Sequence, residues 1–170
     1  MLFKDLLKLK KDYVGLVNYY ELRNLLPETP EEVLEQFFYD HGQNGGFQNQ
    51  YSNIDINKLK WCKKKAKAKD IIECSIYERF YPWVNSVSER LKYFEKNSYS
   101  CIDVRKDVVD YWSKNYTWMK APIFLEGKIL DSKKKIHLVE GHTRLGILIG
   151  LLNNKIIEKN TLHEIWYGSY

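Results

Sequence analysis

The sequence has few cysteines, few arginines and no long apolar run, and these shortages exclude several classes of protein. Its three cysteines, Cys62, Cys74 and Cys101, are widely spaced and form no CxxC pair, which argues against a disulfide framework and against a zinc site. No stretch approaches the roughly 20 apolar residues that a membrane helix needs. The first ten residues include Lys4, Asp5, Lys8 and Lys10 and thus lack the apolar core of a signal peptide. We therefore predict a cytoplasmic protein with reduced thiols and no membrane partner.

The rest of the composition is that of a folded protein. The chain has 170 residues, of which 44% are hydrophobic and 29% charged, so it can bury a core and is not disordered as a whole. Its 27 basic residues are mostly lysine, and the net charge of +5 favours a mild attraction to polyanions. Aromatic residues reach 15%, which suits a core, a protein interface or a base-stacking surface. Composition leaves these three open.

The N-terminal part reads as helices and loops, from the spacing of its apolar residues and its capping signals. The predicted elements are a helix over 2–26 ended by Pro27, a helix begun by Thr29, Pro30 and Glu32 and ended near Gly42, a polar loop over 41–53, a helix from Asp55 to about residue 72, a helix over 75–96 that Pro82 kinks or divides, and a helix from Asp103 to near Trp112.

A lysine-rich stretch lies inside the third of these predicted helices. Seven lysines and no acidic residue fall between Lys58 and Lys69. A solvated helix face is the favoured interpretation. Binding to nucleic acid or to an acidic protein remains the alternative.

The C-terminal part changes character and predicts a small sheet. Short β-type runs occur at 122–125, 136–139 and 163–167, and an apolar helix is predicted over 143–152. We therefore expect an α+β fold in one compact unit. A helical region over 1–115 would pack on a small mixed sheet formed by 116–170.

The segment that joins the second β-run to the last helix predicts an anion site. A strand ends at Val139, Gly141 turns the chain, and a helix begins at once. The first amides of a helix have no internal partners, and the helix dipole makes this end partly positive. Gly141 lets a ligand approach the backbone. Thr143 adds a hydroxyl donor, and Arg144 adds a planar fork suited to phosphate or carboxylate.

Two further residues of this segment bring acid–base chemistry. His142 can donate a hydrogen bond or move a proton near neutral pH, and Glu140 can act as a base or contact a metal ion. A purely structural interpretation is also open. In it Gly141 only makes a tight turn, Arg144 pairs with a carboxylate of the fold, and His142 lies at the surface.

The order PIFL, IHLVEGHTR, LGILIGLL, HEIWYG over residues 118–168 resembles the ParB/sulfiredoxin-like superfamily. Gly141 and Arg144 match the Gly-x-x-Arg turn of that superfamily, and Glu140 matches its acidic position. Gly146 and Gly150 fall on the helix that packs on the sheet in its members. The resemblance implies a ParB/sulfiredoxin-like sheet in the C-terminal region.

The resemblance also implies that a nucleotide, such as ATP, ADP or CTP with Mg²⁺, or another phosphate group binds at this turn. Gly141, His142, Thr143 and Arg144 would hold the phosphates, and Glu140, His142 and Arg144 would be the catalytic residues. No resident metal site is implied.

The turn departs from some members of the superfamily. His142 stands where the sulfinic-acid reductases have cysteine, and the Gly-Glu-Arg-Arg of partition proteins is absent. The turn of the free-serine kinases, acidic-Gly-His-x-Arg, is the nearest match, and there the acidic residue helps to activate the attacking hydroxyl. The resemblance thus favours a phosphotransferase or nucleotide hydrolase. The alternative is a non-enzymatic protein-binding module, such as an immunity or phage-defence protein.

Other residues are weaker candidates, and most of them suit a structural role. They are the pair Asp40–His41 at a predicted helix end, His137 and His163 on predicted strands, and Trp118 and Lys120 before the first strand, where they would border the pocket.

Overall fold

The computed structural model describes residues 1–170 and has an α+β fold. The chain divides into two compact units. Unit 1 comprises residues 1–62 and 166–170, and unit 2 comprises residues 63–165. These bounds differ from the division after residue 115 that the sequence indicated, because the chain before that residue already contributes two strands to the sheet.

Unit 1 is built from short helices around an aromatic core. The rings of Phe3 and Phe37 stack with centroids 5.1 Å apart, and those of Phe37 and Phe38 lie 4.6 Å apart. The elements are a 3-10 helix over Phe3–Lys8, α1 (Tyr19–Leu25), α2 (Glu31–Val33) continued by a π-helix over Leu34–Tyr39, and α3 (Gly45–Tyr51).

The predicted helix over 2–26 is not continuous: its two ends are helical, as the 3-10 helix Phe3–Lys8 and α1, but between Lys11 and Val17, which form a β-bridge, the chain turns back on itself. The Asp12 carboxylate accepts hydrogen bonds from the amides of Val14 and Leu16 and thereby holds the turn. Such side-chain bonds to the backbone compete with helix formation.

Two other predictions in unit 1 need correction. The helix after Thr29 exists, but its N-cap is Pro30 and no side chain caps it. The predicted loop over 41–53 contains α3, because the Asn44 side chain accepts hydrogen bonds from the amides of Gly46 and Phe47 and so starts a helix.

Unit 2 contains most of a mixed five-stranded sheet with strand order β1-β5-β3-β4-β2, in which β2 pairs with β4 in parallel and β3 with β4 antiparallel. The strands are β1 (Lys60–Lys67), β2 (Ser75–Ile76), β3 (Ile123–Glu126), β4 (Ile136–Glu140) and β5 (Leu162–Ser169). The α-helices are α4 (Ala68–Ile72), α5 (Tyr81–Arg90), α6 (Phe94–Asn97), α7 (Lys106–Asn115) and α8 (His142–Asn153). Short 3-10 helices cover Glu78–Phe80, Leu91–Tyr93, Ser98–Cys101 and Gly127–Leu130.

The three predicted C-terminal strands and the helix that follows the second of them are confirmed by β3, β4, β5 and α8. The predicted helix from Asp55 to residue 72 is wrong over most of its length, because residues 60–67 form β1 at the edge of the sheet. Lysines are a common way to protect such an edge from pairing with another chain.

The segment over 75–96 begins as β2, and its first long helix, α5, starts at Tyr81 with Pro82 in the first turn. Proline is tolerated there because its missing N–H would have no helical partner. The predicted helix after Asp103 is confirmed by α7.

Helix α8 packs very closely on α5 and on the 3-10 helix Leu91–Tyr93 that follows it. A Cβ added at Gly146 would lie 2.7 Å from the Cβ of Val87, and one added at Gly150 would lie 2.7 Å from the Cβ of Leu91. Both distances are shorter than real Cβ contacts. None of the helices combines the length and apolar character that crossing a bilayer requires.

Candidate functional site

The turn between β4 and α8, residues 140–144, is here called the bend. Gly141 adopts a left-handed conformation with φ of 111°, which residues with a side chain rarely adopt. An added Cβ would lie 2.6 Å from the Cβ of Pro122 and 3.0 Å from Nε of Arg144. Glycine is therefore required by the backbone angle and by the space around it.

Arg144 folds back against the bend and is held by two hydrogen bonds. Its Nη2 donates to Oε1 of Glu140 over 3.1 Å, and its Nη1 donates to the backbone carbonyl of Lys120 over 2.7 Å. The side chains of Arg144 and Glu140 retain 16% and 25% of their exposure, so the ion pair reaches the surface. No side chain caps the first amides of α8.

This arrangement has an electrostatic consequence. The N-terminal end of a helix carries partial positive charge, so the Arg144 guanidinium lies close to charge of its own sign. In the structure the Glu140 carboxylate offsets that charge. A phosphate at the same place would accept hydrogen bonds from the helix amides and from the guanidinium.

His142 and Thr143 complete the bend in different surroundings. The His142 ring is buried and stacks on Phe80, with ring centroids 3.9 Å apart and planes at 27°. The Thr143 hydroxyl accepts a hydrogen bond from Nε1 of Trp83 over 3.0 Å. The surface position that the structural interpretation gave His142 is therefore wrong, whereas its pairing of Arg144 with a carboxylate is present.

His137 and His163 lie inside unit 2 and not at the bend. The Nδ1 of His137 is 2.9 Å from the Ser75 hydroxyl, and the Nδ1 of His163 is 2.9 Å from the Thr117 hydroxyl. The pKa of each is lowered to about 4, for His163 by burial and for His137 by burial together with the charge of His142. Both are neutral at physiological pH and serve the packing of the sheet.

The other weak candidates are also dispersed. Trp118 packs edge-on against Trp112 and donates from Nε1 to the backbone carbonyl of Glu164 over 2.6 Å. Lys120 supplies its carbonyl to Arg144. Asp40 and His41 belong to unit 1, where the His41 ring stacks on Phe47 at 4.0 Å.

A second candidate site is a cavity of about 630 Å³ in unit 2, here called the lysine cavity. Six lysines from β1 and from the segment before β4 line it, namely Lys64, Lys65, Lys67, Lys133, Lys134 and Lys135. Two carboxylates, Asp70 and Glu73, and the apolar side chains of Ile136, Leu162 and Ile165 complete the lining.

A smaller cavity of about 290 Å³, here called the aromatic cavity, adjoins the lysine cavity, because Lys65 and Leu162 line both. Tyr111, Trp118 and Met119 give it an aromatic and thioether lining. The sequence did not reveal this pairing of cavities. Residues 133–135 lie far along the chain from β1, so only the folded structure brings the two groups of lysines together.

The chain matches no known family model, no curated protein and no solved structure. No group of three or more His, Cys, Asp or Glu side chains is placed so that it could hold a metal ion.

Proposed function

We propose that this chain is a cytoplasmic protein that binds the phosphate group of a nucleotide at the bend, as its resemblance to the ParB/sulfiredoxin-like superfamily implies. One observation carries the proposal: the Arg144 guanidinium lies against the uncapped start of α8, at the end of β4. Amides and guanidinium together supply the donors that phosphate oxygens accept. The three free cysteines agree with a reducing compartment.

Glu140 is the residue that would act as the general base in a phosphoryl transfer at the bend. In the structure its carboxylate is engaged by the guanidinium of Arg144. A phosphate that takes over the guanidinium frees Glu140 to accept the proton of an attacking hydroxyl or water. The oxygen of that nucleophile then bonds to the terminal phosphorus as the bond to the leaving phosphate breaks. A carboxylate oxygen is also the kind of ligand that Mg²⁺ prefers.

Calorimetric titration with ATP, ADP and CTP, each with Mg²⁺, tests the proposal. The informative variant is Arg144→Lys, which keeps the positive charge and loses the paired N–H donors of the guanidinium. We expect it to weaken nucleotide binding by at least about tenfold, as the loss of one charge-assisted hydrogen bond would. The matched control is Arg105→Lys, which changes an exposed arginine that pairs with Asp107 over 3.1 Å.

Urea unfolding of both variants separates a loss of binding from a loss of folding. The proposal fails if no nucleotide binds to the wild-type chain, or if the folded Arg144→Lys variant binds as tightly as the Arg105→Lys variant.

A protein-binding module is the second candidate, and the exposed aromatic residues of unit 1 favour it. Tyr13 is 99% and Tyr20 80% exposed, and Val14 lies beside Tyr13. Tyrosine is frequent among residues that dominate protein interfaces. Affinity capture from a cell extract should then yield a stoichiometric partner that Tyr13→Ser with Tyr20→Ser abolishes and Arg144→Ala leaves unchanged.

A further inference from the structure

The two adjoining cavities of unit 2 form a site that the proposed function does not use. We propose that they bind single-stranded nucleic acid, with backbone phosphates in the lysine cavity and a base in the aromatic cavity. This inference is independent of the bend, because none of residues 140–144 lines either cavity.

The charge of the lysine cavity is the first argument. Six lysines and two carboxylates line it, so the positive charge is in clear excess. Lys65, Lys67, Lys133 and Lys135 are exposed and form no salt bridge within the chain. Their ammonium groups repel one another at low ionic strength, and an anion with several charges relieves that repulsion.

The kind of basic residue in these cavities favours a ligand that carries several charges. No arginine lines either cavity. Lysine ammonium groups are point charges and lack the fixed paired donors with which arginine binds a single carboxylate or phosphate group. The lysine cavity therefore attracts a polyanion through its charge, and the aromatic cavity beside it favours a polyanion that carries bases.

The aromatic cavity adds a place for a base. Tyr111 is half-buried and Met119 is exposed, so both can be reached by a ligand. Trp118 is buried and is fixed by its hydrogen bond to the carbonyl of Glu164. Proteins that bind single strands combine a basic groove with aromatic side chains on which bases stack. A duplex keeps its bases stacked inside and cannot fill such a cavity.

Fluorescence anisotropy with a labelled oligothymidylate of about 12 nucleotides tests the inference. The cavity variant replaces Lys133, Lys134 and Lys135 by glutamine. A double variant, Lys65→Gln with Lys67→Gln, tests the lysines that β1 contributes to the cavity. The control replaces three exposed lysines of unit 1, Lys4, Lys10 and Lys11, by glutamine and so removes the same charge. Thermal unfolding verifies that each variant is folded.

We expect the triple cavity variant to bind at least about tenfold more weakly and to lower the slope of log K against log salt by about 2, since each phosphate contact on a single strand contributes about 0.7. The double variant should lower the slope of log K against log salt by about 1.4. The unit 1 control should keep the wild-type affinity and slope. Tyr111→Leu should weaken binding by at least about fivefold through lost stacking and leave the slope unchanged.

Four results would overturn the inference. They are an absence of binding at about 50 mM salt, equal losses in the cavity and control triples, a polyglutamate peptide of equal length that binds as tightly as the oligonucleotide, and a duplex that binds more tightly than the single strand. Arg144→Lys should leave oligonucleotide binding unchanged, so failure of this site and failure of the bend are distinguishable.

Discussion

The bend and the lysine cavity lie at opposite ends of the same strand, and they present positive charge in opposite ways. At the end of β4 the bend holds one guanidinium in place with two hydrogen bonds and offers backbone amides of fixed direction. At the start of β4 the lysine cavity collects flexible side chains that are mostly without ion partners. Fixed donors suit the recognition of one phosphate group, whereas mobile ammonium groups suit a chain of phosphates.

Acidification should have the largest effect, because it disrupts the sheet that carries both sites. Burial lowers the pKa of His137 and of His163 to about 4, below the unfolded value of about 6.5. The unfolded chain therefore binds protons first. Stability is fully present above pH 6.5 and is lost as the pH falls toward 4. At pH 5 we expect each histidine to cost up to about 2 kcal/mol.

Urea unfolding at a series of pH values measures this loss. His163→Gln removes one of the two titrating groups, so its free energy of unfolding should fall less steeply between pH 6.5 and 5 than that of the wild type. An identical pH dependence in the two proteins would contradict the assignment.

Gly141→Ala should affect one site and spare the other. The substitution strains a backbone angle of 111° and places a methyl group 2.6 Å from Pro122. We expect it to destabilise unit 2 by about 3 kcal/mol and to abolish nucleotide binding at the bend, while the folded fraction keeps its oligonucleotide affinity.

Gly45→Ala is the matched control, because an added Cβ there meets nothing within 4 Å. It should leave both affinities and the stability near those of the wild type. Oligonucleotide binding that disappears with Gly141→Ala in the folded protein would show that the two sites are not separate.

The smallest effect is expected for Trp83→Phe, which removes the hydrogen bond to the Thr143 hydroxyl and keeps an aromatic ring. The loss of such a bond costs about 1 kcal/mol of stability. It also leaves the hydroxyl available to a phosphate, so nucleotide affinity should stay equal or rise slightly. Calorimetry compares the two proteins, and a clear fall in affinity would mean that Trp83 itself contacts the ligand.

The C-terminal elements could be predicted because their signals are local. Short apolar runs predicted β3 and β4. A glycine between a strand and an apolar helix predicted the bend, whose five residues are consecutive in the chain. Strand β1 could not be predicted in this way. Its inner apolar residues are few and its lysines resemble a solvated helix face, so only pairing with β5 makes it a strand.

The partners of the bend were also hidden from the sequence. Pro122, Lys120, Phe80 and Trp83 reach it only through tertiary packing. The lysine cavity depends on the strand order as well, because residues 64–67 and 133–135 come together only in the folded unit.

Gly146 on the inner face of α8 makes the sequence of α8 depend on that of α5. With no side chain at 146, the helices approach until Val87 fills the space. A methyl group at position 146 would push α5, which carries Trp83, away from α8, which carries Thr143. An alanine at 146 should thus be tolerated only together with a smaller residue at 87, so the two positions can change as a pair and not singly.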